Sequence, residues 1–218
     1  MTDLLEQISD SIVNFDSEGV MENVKEAMAA GLTPQEIIEK GLSKGLRIVG
    51  KMFEEGEVFL THLIAAAEPA KRAITELLEP EMRRQKTSRK TLGKVILGTV
   101  EGDIHDIGKN IVSAMLFAAG FEVYDLGVEV PPKIFVEKAK QLKADVVGAS
   151  ALLTTTMHVQ REIVRAFDES GLRKGVKLIF GGAPVTPEWI QEIGADGFAR
   201  DSVEAVSLVK MLLGIEEV

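Results

Sequence analysis

The sequence predicts an α + α/β chain: an N-terminal four-helix bundle followed by a doubly wound, five-stranded parallel sheet of the flavodoxin-like kind. Three observations predict it. Apolar residues recur at intervals of three and four up to about residue 84, the period of an amphipathic helix. From Lys94 onward, short β-favouring runs alternate with helical stretches. Those runs are apolar throughout rather than at every second position, as strands covered on both faces require.

The helices come first. Leu4, Leu5, Ile8, Ile12 and Phe15 mark one, and Val20, Val24, Ala27 and Met28 mark a second that stops at Gly31. Thr33-Pro34-Gln35-Glu36 restarts the chain with an N-cap, proline at the first helical position and an acid at the third. That third helix carries Ile37, Ile38, Leu42, Leu46, Ile48, Val49 and Met52, and Gly56 separates it from a fourth, from about Phe59 to Arg84. Glu81 to Thr91 is charged and poor in apolar residues, so it reads as a linker between domains at 1–88 and 89–218.

Beyond the linker, strands are expected at Lys94–Thr99, Phe121–Leu126, Asp145–Ala149, Val176–Phe180 and Gly197–Ala199. Helices are expected near Ile107–Ala119, Pro132–Leu142, Thr156–Ser170, Pro187–Ile193 and Val203–Leu213. Strands spaced this way pair in parallel through crossover helices, and ligands then bind at the carboxyl ends of the strands. That rim is built from residues 101–108, 127–132, 150–156 and 181–184.

Composition narrows the function. The 218 residues carry a net charge of −9, and the only concentrated basic stretch is the short Arg83–Lys90, so nucleic acid is not an expected partner. Cysteine is absent, which excludes disulfides, thiolate zinc sites and iron–sulfur clusters. No apolar run approaches the ~18 residues of a membrane span and no secretory leader is visible, so no membrane association and a cytoplasmic location are expected.

The rim itself carries the chemistry. Asp103-x-His105-x-x-Gly108 leaves the end of the first strand with Gly102 before it, bringing one imidazole and a partner acid to the ligand edge. Neither a Gly-x-Gly-x-x-Gly fingerprint nor a Gly-Lys-Ser/Thr phosphate loop follows that strand. A receiver-type phosphoacceptor would need an Asp at the end of the third strand, which instead runs Gly148-Ala-Ser-Ala-Leu-Leu-Thr-Thr-Thr156. The fourth ends Phe180-Gly-Gly-Ala-Pro184. Small residues at two strand mouths imply a slot for something long and narrow.

Asp103-x-His105-x-x-Gly108, Ser150-x-Leu152 with Thr154, and Gly181-Gly182, in that order, resemble the vitamin B12-binding domain. With the upstream helices and Glu55-Gly-Glu-Val-Phe59-Leu60, nearly the whole chain resembles the cobalamin-binding region of methionine synthase. At stand-alone length it looks like the corrinoid proteins of methylamine, methanol or glycine-betaine methyltransferase systems, the methylamine ones above all. The resemblance implies cobalamin, as methylcobalamin or another corrinoid, with His105 as the cobalt ligand and the cofactor's benzimidazole displaced. It implies contacts from Gly102, Asp103, Ile104, Asp106, Ile107 and Gly108 of the loop, and a tail slot at Ser150, Leu152, Thr154, Gly181 and Gly182. It also implies a relay from His105 through Asp103 to Thr156, where methionine synthase carries serine. Residues 1–88 become a cap that shields the upper corrin face near Phe59, and 89–218 the cobalamin-binding domain. Relatives often read Phe-Leu-Pro where this chain has Phe59-Leu60-Thr61.

Physical chemistry supports these roles. Neutral imidazole is a good cobalt ligand, and its second nitrogen needs a partner that fixes the tautomer. Asp103 can serve, because residues two apart in an extended loop face the same side. Plainer readings stand beside this: alone, His105 would be a capping residue at a helix start and Asp103 an N-cap. By composition Phe59 is bundle core, and His62, His158, Tyr124 and Trp189 are packing or surface residues. Glu101, Asp103 and Asp106 lack the spacing of an all-protein Mg²⁺ or Ca²⁺ cage.

The expected function is a methyl shuttle between a substrate-specific corrinoid methyltransferase and an acceptor methyltransferase, with a separate reductive activator and no catalysis in isolation. Two alternatives come from other classes. The B12-binding subunit of an adenosylcobalamin mutase would put a barrel where the helical cap stands, and a B12-dependent sensor would carry a basic helix-turn-helix ahead of it.

Overall fold

A computed structural model describes residues 2–85 and 90–215. The chain divides into two compact units, Met1–Thr91 with Phe117–Gly120, and Leu92–Leu116 with Phe121–Val218.

The first unit is helical. α1 (Thr2–Val13) and α2 (Ser17–Ala29) are joined by a turn in which Asp16 caps α2, accepting from the Gly19 amide at 2.9 Å. α3 (Pro34–Glu36) runs without a break through the π-helical turn Ile37–Leu42 into α4 (Ser43–Glu54). Its start is the expected capping box, with the Glu36 amide donating to Thr33 Oγ1 at 3.3 Å and the Thr33 amide donating back to Glu36 Oε2 at 3.2 Å. α5 (Leu60–Ala73) passes through the π-helical turn Ile74–Leu78 into α6 (Glu79–Arg84). That widening lies just before Pro80, whose ring would press on the carbonyl four residues back in a regular helix. Four continuous helical rods result, and Ile8, Ile12, Val24, Ile37, Leu42, Val49, Leu63 and Leu78 form their buried interior.

The linker expected over Glu81–Thr91 needs correction at its start. Residues 81–84 belong to α6, where Arg83 pairs with Glu79 at 3.1 Å and Arg84 with Glu81 at 3.4 Å. Charge there decorates a helix face rather than a tether. Residues 86–89, with the 88/89 boundary, lie outside the described residues.

The second unit alternates β1 (Lys94–Thr99), α7 (Ile107–Ala118), β2 (Glu122–Asp125), α8 (Pro132–Leu142), β3 (Val146–Ser150), α9 (His158–Ser170), β4 (Lys177–Gly181), α10 (Pro187–Ile193), β5 (Gly197–Phe198) and α11 (Ser202–Leu212). The sheet is parallel throughout, in the order β2-β1-β3-β4-β5. The chain leaves β1 toward β2 on one side and reaches β3 on the other, so the crevice between the carboxyl ends of β1 and β3 is the topological switch point. α9 begins at His158, two residues later than the sequence predicts, because the Thr156 hydroxyl is held outside the helix.

Ile96, Val147, Leu178 and Phe180 of the sheet pack with Phe135 of α8 and Ile163 and Phe167 of α9 into one apolar core. Gly98 makes room for Phe135: a Cβ there would lie 2.7 Å from the ring. Truncating a fully buried phenylalanine removes its transfer free energy and leaves a cavity. Phe135→Ala is therefore expected to cost about 3–5 kcal/mol in urea denaturation, against less than about 0.5 kcal/mol for Met211→Ala on the surface.

Candidate functional site

The loop after β1 folds around one carboxylate. Asp103 is buried, 1% exposed, at the switch point. Its Oδ1 accepts from the His105 amide at 3.0 Å and lies 2.8 Å from His105 Nδ1. Its Oδ2 accepts from the Leu152 amide at 2.8 Å, the Leu153 amide at 3.3 Å and Thr156 Oγ1 at 2.8 Å. Burial by itself would raise the pKa of this carboxyl. The hydrogen bonds from the His105 amide and ring, the Thr156 hydroxyl and the Leu152 amide outweigh it and hold the group well below the usual carboxylate range.

An ionised carboxylate can only accept, so Nδ1 of His105 carries the proton and, in the neutral ring, Nε2 presents a lone pair. The imidazole is about half exposed, with a side-chain exposure of 48%, and no protein group among the described residues bonds Nε2. Thr99 Oγ1 donates to the His105 carbonyl at 3.0 Å, which fixes the loop a second time. Ile104 and Ile107, on either side of the histidine, are 66% and 70% exposed, and Leu152 and Leu153 of the facing loop are exposed as well. Apolar side chains left in water around one free nitrogen suit a broad apolar ligand that brings its own metal. Gly108, in the first turn of α7, has open space where a side chain would stand.

Asp106 does not join His105. Its carboxylate accepts from Asn110 Nδ2 at 3.0 Å, and Asn110 Oδ1 in turn accepts from Lys109 Nζ at 2.7 Å. Lys109 is buried and also pairs with Asp125, whose other oxygen accepts from the Gly127 amide at 2.8 Å. The chain after β2 is clipped to the histidine loop, since the Glu129 amide donates to the Asp103 carbonyl at 3.1 Å. Sequence reasoning missed Lys109, whose burial depends on Asp125 from the end of β2.

The ends of β3 and β4 stand side by side, with Ser150 opposite Gly181 and the Ala151 amide donating to the Gly181 carbonyl at 3.1 Å. The two glycines that follow differ. Gly182 has φ +124°, and a Cβ there would lie 1.9 Å from the Ala151 carbonyl oxygen, so glycine is required by a close backbone approach. At Gly181 a Cβ would meet nothing nearer than the Ala199 carbonyl oxygen at 3.5 Å, an ordinary contact. Thr154 is exposed in the turn between β3 and α9. Sequence reasoning missed Gln160, which is fully buried. Its amide nitrogen donates to the carbonyls of Ala149 and Gly181, both at 3.1 Å, and its oxygen accepts from Trp189 Nε1 at 3.0 Å. A glutamine on the buried stripe of Val159, Ile163, Val164 and Phe167 was its signal.

In the helical unit, Phe59 is not core. It precedes α5 with 73% of its surface exposed, the highest value for a large apolar side chain among the described residues. Its amide donates to His62 Nδ1 at 3.2 Å, and the His62 ring lies 5.1 Å from that of Phe15. His158 accompanies Thr155 and Glu162 on the surface.

A B12 binding domain model matches residues 93–207, and a second, also described as a B12 binding domain, matches residues 4–78. Trimethylamine corrinoid protein 2 of Methanosarcina acetivorans is 50% identical over 208 residues, covering 95% of each chain. Among solved structures, the methanol:cobalamin methyltransferase complex MtaBC from Methanosarcina barkeri matches with a TM-score of 0.87 at 28% identity, over 97% of this chain and 80% of that one. The Methanosarcina barkeri monomethylamine corrinoid protein matches with a TM-score of 0.55 at 41% identity, over 96% of this chain and 98% of that one. The chain belongs to the B12-binding methylamine corrinoid proteins and takes cobalamin or a related corrinoid as its cofactor.

Proposed function

We propose that the chain is a methyl carrier, which receives a methyl group from a substrate-specific corrinoid methyltransferase and presents it to an acceptor methyltransferase. When bound, the corrinoid supplies the cobalt that carries the methyl group. The observation behind this reading is the chain His105–Asp103–Thr156, in which one buried carboxylate fixes the Nδ1 proton and leaves Nε2 free to ligate. His105 would hold the cobalt through Nε2, in place of the corrinoid's own benzimidazole. Asp103 and Thr156 would form the relay behind that ligand, holding the ring in the tautomer that keeps Nε2 open to the cobalt.

Gly102, Ile104, Asp106, Ile107 and Gly108 shape the loop surface toward the macrocycle, while Ser150, Leu152, Thr154, Gly181 and Gly182 form the slot for the nucleotide tail. Residues 89–218 are thus assigned as the cobalamin-binding domain and 1–88 as the cap, with exposed Phe59 keeping water from the methyl group. The proposed roles are ligation and protection, so turnover is assigned to partners. The similarity to a methyltransferase complex supports the donor enzyme, and an acceptor enzyme, a reductive activator and a cytoplasmic location complete the reading.

Electron paramagnetic resonance of the Co(II) form should show nitrogen hyperfine splitting that changes on ¹⁵N-histidine labelling. His105→Ala should lose that splitting while keeping some corrinoid through the tail slot; splitting indifferent to the label would mean that benzimidazole still coordinates. Gly181→Leu should keep its far-ultraviolet circular dichroism, because the Cβ is accommodated, yet lose about tenfold or more in cobalamin affinity as the slot fills. Full loading of that folded variant would put the tail elsewhere. Phe59→Ala should speed photolysis of the methylated protein; an unchanged rate would remove Phe59 from the cap.

A further inference from the structure

We infer that Gln160 sets the width of the tail slot and so makes the chain discriminate corrinoids that carry a nucleotide tail from those that do not. The inference rests on the proposed slot at the β3 and β4 exits and names the residue that holds it at size.

Gln160 is fully buried on α9, in a stripe otherwise made of Val159, Ile163, Val164 and Phe167. An unbonded amide there would be costly, and none of its bonding capacity on this side is wasted. The two carbonyls it reaches belong to neighbouring strands, Ala149 on β3 and Gly181 on β4, each 3.1 Å from the same nitrogen. They sit at the end of the ladder, where Ser150 pairs with Gly181 before the two chains part. A planar NH₂ with two protons in fixed directions holds both carbonyls at once and therefore fixes the spacing between the strands where the slot opens.

The amide's orientation is also decided. Two acceptors face the nitrogen, and the Trp189 indole N–H, which can only donate, faces the oxygen at 3.0 Å. Trp189 lies on α10, just beyond the loop that begins at Gly181-Gly182, and Arg161 covers its ring with its guanidinium 4.6 Å from the centroid. The side chain thus joins α9, the exits of two strands and α10 through three hydrogen bonds. Gly182 is already pressed against the Ala151 carbonyl, so the slot cannot adjust there. The last ladder bond, from the Ala151 amide to the Gly181 carbonyl, joins the two strand ends, and Gln160 clamps that same carbonyl to Ala149 from the helix side, reinforcing their spacing where the ladder stops.

The test compares cobalamin with cobinamide, which keeps the corrin and cobalt but lacks the nucleotide tail, by absorbance titration of the full-length protein. The wild-type protein should favour cobalamin. Gln160→Met, which keeps the length and removes both donors, should lower the cobalamin-to-cobinamide affinity ratio about tenfold or more while cobinamide affinity stays within about twofold. Trp189→Phe, which leaves the glutamine in place but frees its oxygen, should lower the ratio by a smaller factor, about threefold. A folded Gln160→Met with an unchanged ratio overturns the inference. If that variant does not fold, an unchanged ratio in Trp189→Phe overturns it instead. A wild-type protein with no preference for cobalamin would instead defeat the slot reading on which the inference rests.

Discussion

One buried carboxylate organises the ligand edge. Asp103 accepts from the amide and ring of His105 with one oxygen, and from the amides of Leu152 and Leu153 and the Thr156 hydroxyl with the other. These donors come from loops that leave different strands, β1 and β3, and meet only because the sheet order makes those strands neighbours. The charge is tolerable in the interior because its acceptor sites are answered by donors, and charge-assisted hydrogen bonds are the stronger kind. Remove the carboxylate, and the orientation of the histidine, the turn before α9 and the docking of the two loops all lose their common anchor. The fold exists at this edge to bring donors to one anion.

Much of this was legible in the sequence, for identifiable reasons. The inner strands β1, β3 and β4 read clearly because their buried stretches are apolar in succession, and α8 and α10 read clearly because Pro132 and Pro187 mark their starts. His105 and Asp103 were legible because only a loop at a strand end has reason to carry them. What stayed hidden depends on three-dimensional pairing. Lys109 and Gln160 look like ordinary polar residues on helices until their partners Asp125, and Ala149, Gly181 and Trp189, arrive from elsewhere in the chain. The plain reading of Phe59 as core fails because an apolar residue at helical spacing can stand just ahead of the first turn, where no neighbouring helix covers it. Residues 81–84 read both as the end of the fourth helix and as the start of the linker, because ion pairs within a helix and a solvated tether have the same composition; the structure keeps the helix.

The Gly181-Gly182 pair shows how one motif can hold two unrelated constraints. Gly182 answers to the backbone of the neighbouring loop and would be required whether or not any ligand existed. Gly181 faces an ordinary contact, so the protein itself does not demand glycine there. A pattern read only as a string would assign both positions to the ligand; the contacts divide them into one structural position and one open to a guest.

The solitary imidazole has a consequence for what the chain admits. Among the described residues, no three histidine, aspartate or glutamate side chains gather as a metal cage. A free divalent ion would have to give up hydration for a single nitrogen donor, a poor exchange for any of the common transition metals. If His105 ligates as proposed, a cobalt already enclosed in its ring would ask the protein for one nitrogen and for a surface such as Ile104, Ile107, Leu152 and Leu153 expose. On that reading the ligand edge has no need of a selective metal cage, because the macrocycle brings its metal already enclosed.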